Sequence, residues 1–462
     1  MLYRGVRSYN FLTFSQDGDM VTRVLACGAV MLSAVFFAGC KTNQATIIDP
    51  FNEDVEKPVV GWGLRKLDPS EYPDMRQAFM DKAGLERAID KSLQFLKAPS
   101  SQRFYPSMHQ PEDTITHAQV EQSLLDFKRL INSNMTPDQF QAEVVNRYDV
   151  YTSKGYNDKG DVWFTGYFTP IYQGSLVQTS EFKYPVYKRP ADLVSDPITG
   201  DVQGRRMPDG TMQPYPTRKE IMASGMLKGT ELVWFRDPME PYIIQVQGSA
   251  KVILPDGKPL MIGYAGKNGR EYRGLGSELV KDGKIQKTRL SLPAVLEYFK
   301  NNPGEQEEYI SRNDSFAFLK IYEPAEWPSG SLGVQVTQMR SLATDKTIFP
   351  RASMCFIDTP TPTADGTMLP YRGFILDQDT GGAIRAAGRA DIYMGIGDEA
   401  GKLAGQQFAK GRLYYLFLKQ GNFNPNLKPV KPAPNVTTPA KTPTTPTGGK
   451  PSPEIFPGAK KQ

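Results

Sequence analysis

"DQDTGGAIRAAGRADIYMGIG", residues 377–397, sets three carboxylates among five glycines. The run that leads into it, "GFILDQD" (373–379), is apolar enough for a buried strand, and "TGG" (380–382) turns the chain where Asp379 leaves that strand. Asp391 then opens "DIYMGIG", a second strand ending in glycine. Two such strands, joined by a Gly-Ala-rich connection, predict a β-rich fold that brings Asp379 and Asp391 to one rim, where glycine lets a ligand or another strand approach the backbone. One of two neighbouring carboxyls is then kept protonated by its partner or by burial, as a general acid at neutral pH requires. Each aspartate also has a structural alternative: Asp377 as a solvated turn residue, Asp398 as a helix cap, Asp345 in "ATDKTIFP" as a turn former before Pro350. A rival chemistry comes from Asp379-Thr380-Gly381, the tripeptide of aspartic proteases, which pair two such loops around one proton. No second Asp-Thr/Ser-Gly occurs, so that chemistry needs a homodimer.

The chain has 462 residues, 39% hydrophobic and 23% charged, enough for two or three domains with real cores. Its formal charge of +5 is carried by the last 42 residues, which hold six lysines and one glutamate; residues 1–39 add one more positive charge, leaving 40–420 at −1. A body with no basic surplus excludes nucleic acid as an expected partner. Arg23 precedes an apolar run, 24–38, too short to span a bilayer and suited to a signal-peptide core. It closes on "FAGC" (37–40), similar to a bacterial lipoprotein box, which implies cleavage before Cys40 and lipidation of its thiol; Met20 is the better start. Lys41 after the cysteine, where an inner-membrane retention signal resembles Asp, points to the periplasmic face of the outer membrane. With Cys27 removed and Cys40 lipidated, Cys355 in "MCFI" is left as a buried strand thiol without a disulfide partner. The two histidines, His109 and His117, both lie early, so a triad or His-rich metal site would need them to fold back onto the aspartates. If the chain is an enzyme, its proton transfers therefore fall to carboxylates.

Leu85, Ile89, Leu93 and Leu96 keep helical spacing, as do Val120, Leu124, Phe127 and Ile131, the second helix announced by Thr116 with Gln119 three residues on. From Trp163 the pattern is short strands, with a helical interlude at 290–311 and one late helix at 398–410, capped by Asp398 and ended by Gly411, between strands 391–394 and 412–418. Ten prolines in 421–462 make the tail an extended solvated linker.

Residues 377–419, beginning with the quoted stretch, resemble the C-terminal three-aspartate (3D) module of the membrane-bound lytic murein transglycosylase A (MltA) family. Further similar segments run in order: "FTGYFTPIYQGS" (164–175), "FKYPVYKRP" (182–190), "PTRKEI" (216–221), "QVQGSAKV" (245–252), "YAGKNGREYRGLG" (264–276) and "NDSFAFLK" (313–320). The resemblance implies a mainly β, α+β protein with N-terminal helices: a double-psi β-barrel with a second, smaller β-barrel inserted, and a glycan-binding groove between them. The expected organisation is a signal peptide at 1–39, a lipidated linker at 40–70, a discontinuous barrel domain at 71–171 and 325–420, an insert at 172–324 and a disordered tail at 421–462. The resemblance implies that the three aspartates of the module are Asp345, Asp379 and Asp391, with Asp391 the acid/base. Thr165, Tyr167, Gln247, Gly248, Ser249, Gly381 and Gly382 are expected to line the groove. The implied activity cleaves the β-1,4 bond between N-acetylmuramic acid and N-acetylglucosamine in peptidoglycan, closing a 1,6-anhydro ring without cofactor or metal. Implied partners are glycan strands and, through the lipid, a membrane; any cell-wall synthesis or division partner is unknown. Alternatives are a peptidoglycan-binding lipoprotein that has lost catalysis, a hydrolytic glycosidase and the dimeric aspartic protease. Two departures from the family pattern, Ala352 in "FPRA" and Ala250 in "QGSA", replace expected glycines and put the local turns in question.

Overall fold

The computed structural model describes residues 63–427 except 111–112, 197–199, 383 and 425. The expected signal peptide, Met20, Cys40, most of the 40–70 linker and nearly all of the tail lie outside the described residues, as does the side chain of His109.

Six strands close a barrel: β1 (Val162–Thr169), β2 (Ser341–Ala343), β3 (Met354–Pro362), β4 (Met368–Asp379), β5 (Arg389–Ile396) and β6 (Phe408–Leu418). Their order is β6–β3–β4–β2–β5–β1, and β1 pairs back onto β6. The β2–β4 and β5–β1 neighbours are parallel and the rest antiparallel. Closure removes exposed edges and forces the side chains of each strand to alternate between an interior and an outer face. Phe164, Leu342, Cys355, Ile375, Ile392 and Tyr415 are buried on the inward side. Outside, Phe374 of β4 packs edge-on against Phe127, with ring centroids 4.9 Å apart. Phe127 belongs to the helix His117–Ile131, whose start Thr116 caps by accepting the Gln119 N–H at 3.1 Å. The helix Leu85–Lys97 buries its apolar stripe, as its spacing predicts, and is bonded to β4 through Gln378 Nε2 donating to Ala88 O at 2.7 Å. Sequence spacing overlooked a third helix, Pro137–Arg147, although Thr136 and Gln139 form a capping box and Pro137 sits in its first turn.

Between β1 and β2 the chain builds a second ring. A four-stranded sheet (Ile171–Gln173, Ser249–Ile253, Pro259–Lys267, Ala317–Ile321) and a two-stranded one (Tyr184–Tyr187, Glu231–Phe235) are joined at both ends by the bridges Ser175↔Trp234 and Lys188↔Leu319. This is the smaller inserted barrel, with its own core around Val186, Val233, Phe235, Val252, Ile262 and Leu319.

Several expected boundaries move. The 290–311 interlude is two helices, Leu292–Asn301 and Gln306–Arg312, broken where Pro303 follows Asn302. The late helix is Asp398–Gln406: its N-cap is Gly397, with Asp398 already inside the first turn, and Gly411 lies within β6 rather than at the helix end. The strands around it, β5 and β6, are longer than 391–394 and 412–418 because barrel pairing extends them past their apolar runs.

Candidate active site

Strand register sets the site. Ala343 of β2 lies opposite Asp379 on one side and opposite Asp391 on the other; Asp391 lies opposite Thr165, and Thr165 opposite Phe408. Residues directly opposite share a sheet face, so Asp379, Ala343, Asp391, Thr165 and Phe408 form one row across five strands of the barrel's outer face. A bulge makes this possible. Leu342 pairs with Asp377 and the next residue, Ala343, pairs with Asp379, so Gln378 is extra on β4. In an unbroken strand Asp379 would follow Asp377 inward; the extra residue re-aims it outward beside Asp391.

Asp391 Oδ1 accepts hydrogen bonds from Thr165 Oγ1 and, at 3.2 Å, from Arg389 Nε. No hydrogen bond reaches Oδ2 among the described residues, and the side chain is 14% exposed. Arg389 was overlooked in the sequence, although its i, i+2 spacing from Asp391 places it on the same strand face. Asp379 Oδ1 accepts the Ser331 and Thr380 N–H groups, each at 2.8 Å, and Oδ2 accepts Tyr167 Oη at 3.0 Å. Burial pushes the Asp379 carboxyl up, and these donors together with the Lys346 charge offset only part of that. Tyr167 is driven well up by burial and by Asp379, so it stays a neutral donor. Its ring tilts against Tyr393 at 5.1 Å, and Tyr393 Oη bonds Thr169 Oγ1 at 2.9 Å, which in turn meets Ser249 Oγ at 3.3 Å.

The "QGS" segment joins the inserted barrel to β1. Gln247 ends the helix Met239–Gln247 and accepts the Phe168 N–H at 3.1 Å; Gly248 stops the helix with φ +83°; Ser249 starts the next strand. Ala250 is an ordinary buried strand residue opposite Ile262, so the missing glycine there leaves the turn intact. At the other departure, Ala352 adopts φ +59°, the left-handed conformation a glycine would supply.

Gly381 and Gly382 follow Asp379 but neither has left-handed backbone, and a Cβ at Gly382 would meet only Tyr272 Cβ at 3.9 Å. The sharp bend falls instead at Ala386, φ +67°, whose N–H is held by Asp345 Oδ2 at 2.9 Å. Asp345 Oδ1 accepts the Thr347 N–H and hydroxyl, and the residue is 2% exposed, so it anchors the 380–388 connection and lies outside the row. Asp377 is not a solvated turn residue. It is fully buried and engages Thr344 Oγ1, Tyr415 Oη at 2.8 Å and the Lys346 ammonium, because β4 continues through it and points it into the barrel.

Elsewhere, His117 Nε2 contacts Ser101 Oγ at 2.9 Å and Leu96 O at 3.0 Å at a helix junction remote in sequence and contact from the row. Burial pushes the Cys355 thiol well up, which makes it inert. Among the described residues no cluster of three His, Cys, Asp or Glu could hold a metal, and no helix is long and apolar enough to cross a membrane. A cavity of about 640 Å³ opens on the inserted barrel, lined by Lys188, Arg189, Tyr264 and Lys320 among others, and includes none of the row.

Residues 163–320 match the MltA specific insert domain and residues 340–417 the 3D domain. The membrane-bound lytic murein transglycosylase A of Escherichia coli (strain K12) is 31% identical over 285 residues, 60% of this chain and 71% of that protein. The chain belongs to the MltA family. The Vibrio cholerae protein of the same name is 32% identical over 270 residues, 57% of this chain and 68% of that one. Among solved structures, E. coli MltA with bound chitohexaose superposes with a TM-score of 0.56 at 26% identity, covering 78% of this chain and 95% of that one. The membrane-bound lytic murein transglycosylase of Agrobacterium tumefaciens gives 0.64 at 24% identity, covering 77% and 98%, and shares the fold.

Proposed function

We propose that this MltA-family chain is a peptidoglycan lytic transglycosylase in which Asp391 alone serves as acid and then base. One observation carries the assignment: in the row of outer-face residues, no described residue bonds Oδ2 of Asp391 while Thr165 and Arg389 fix Oδ1. The protonated carboxyl gives its proton to the glycosidic oxygen as the bond from the muramyl anomeric carbon breaks, and N-acetylglucosamine leaves with a free hydroxyl. The resulting carboxylate takes the proton of the muramyl C6 hydroxyl, whose oxygen bonds to the anomeric carbon and closes the 1,6-anhydro ring. Water is not consumed, because the nucleophile belongs to the substrate and proximity replaces a bound water.

The other residues support this step. Asp379, held by two amides, orients Tyr167 toward the sugar; Asp345 holds the connection that carries Gly381 and Gly382; Gln247, Gly248 and Ser249 fix the inserted barrel against β1, so that the groove between the barrels receives the strand. The organisation proposed is a barrel domain from 71–171 and 325–420 with an insert at 172–324, tethered through a lipid on Cys40 at the periplasmic face of the outer membrane.

The test is mass spectrometry of purified peptidoglycan digested by wild type and by Asp391→Ala. Anhydro-muropeptides from the wild type, absent with the variant while circular dichroism is unchanged, are expected. Products heavier by one water would replace the assignment by hydrolysis, and glycan binding without any cleavage would leave a binding lipoprotein.

A further inference from the structure

Phe408 ends the row and is 37% exposed, large for an aromatic side chain in a barrel strand. It is braced from behind. Its ring lies parallel to Trp163, centroids 4.7 Å apart at 6°, and Trp163 stacks in turn on Tyr156 at 6.1 Å and 17°. Trp163 thus stacks with two rings, while Phe408 keeps more than a third of its surface exposed. Register ties this stack to the acid: Phe408 is opposite Thr165, Thr165 opposite Asp391 and donating to it. Two strand spacings, about 10 Å, separate Phe408 from Asp391 on the same face, a distance that a β-1,4-linked disaccharide spans. The rim of the stack is polar. Lys410, opposite Trp163, pairs with Asp161 at 3.1 Å, and Arg412 reaches the same carboxylate at 3.1 Å.

A rigid apolar plate with a charged rim suits a pyranose, whose C–H face is apolar and whose edge carries hydroxyl and acetamide groups. We propose that Phe408, propped by Trp163 and Tyr156, is a stacking subsite for an N-acetylhexosamine of the glycan strand, neighbouring the sugar at Asp391. The subsite rests on the transglycosylase assignment and adds where the strand runs: along the row from Asp379, past Asp391, to Phe408.

The experiment uses the full-length Asp391→Asn protein, which holds sugar without turning it over, and chitohexaose as probe. Isothermal titration is expected to show Kd raised about tenfold by Phe408→Ala, the scale of one lost aromatic stack, and nearly restored in Phe408→Trp. Tryptophan emission should change on titration, and Trp163→Phe should remove much of that change. Equal Kd for Phe408→Ala and its parent overturns the subsite. If the wild type nevertheless releases anhydro-muropeptides, only the subsite falls; if the wild type neither binds chitohexaose nor cleaves peptidoglycan, the transglycosylase assignment falls and takes the subsite with it.

Discussion

Asp377 and Asp391 belong to the same glycine-rich stretch and the same barrel, yet they meet opposite surroundings. Asp377 is sealed inside, both oxygens taken by Thr344, Tyr415 and Lys346. Asp391 faces outward, with Oδ1 bonded twice and Oδ2 without a bond among the described residues. A carboxylate whose lone pairs are all filled by fixed donors holds a fold together. One with an unfilled oxygen at a reachable surface can exchange a proton with a substrate. Saturation and access, more than identity, separate the two environments.

The largest expected effect strikes Asp391. Asp391→Asn should lower turnover on peptidoglycan by about 10²–10⁴-fold, the worth of a general acid/base, with the thermal midpoint nearly unmoved. A variant that keeps its activity would erase the contrast. Asp377→Ala should do the reverse: it leaves the Lys346 charge buried without its partner and costs about 3–5 kcal/mol in denaturant unfolding. The double variant Asp377→Leu, Lys346→Met should recover much of that loss, since a buried pair is often replaceable by apolar groups. Failure of the recovery would show that the pair specifies the fold beyond its charge balance.

Asp379 sharpens the comparison because it lies between the extremes, part-buried and bonded by three donors. Its folded pKa is raised by burial, so the stability it contributes is fully present below the unfolded carboxylate value, about 4, and is lost as pH rises through the raised folded value. Asp379→Asn should therefore melt higher than wild type at pH 7, by about 2–4 °C if the relief approaches 1 kcal/mol, with the difference vanishing in acid. Melting curves across pH 3–8 check this; a lower midpoint for the variant at neutral pH would contradict it.

The smallest effect belongs to Ala352. Replacing it by glycine relieves about 1–2 kcal/mol of left-handed strain, against about 0.5–1 kcal/mol of backbone entropy and a lost buried methyl worth about 0.8 kcal/mol. Stability should stay within about 1 kcal/mol of wild type, and a larger fall would mean the methyl packs more than it strains.

Much of the molecule was legible in advance because its signals are local. The apolar spacing of the helix Leu85–Lys97, the Thr116 cap, the strands around Asp379 and Asp391 and the inert Cys355 follow from periodicity and neighbouring residue types. Those signals failed where a choice depended on distant partners. Asp377 looks like a turn former beside Gly381 until Tyr415 and Lys346 enclose it. Asp398 looks like a cap until Gly397, at φ +90°, takes that place.

What the sequence by itself determined is the stock of parts: a β-rich body with N-terminal helices, an acid chemistry short of histidine, and motifs in an order that marked the family. Tertiary structure alone decided which way each carboxylate faces. The extra residue at Gln378 flips the parity of β4, sending Asp377 inward and Asp379 out beside Asp391, and barrel closure through β1 and β6 brings Thr165 and Phe408 into line. Strand parity and closure are properties of pairing between segments far apart in the chain, so no window of local sequence contains them.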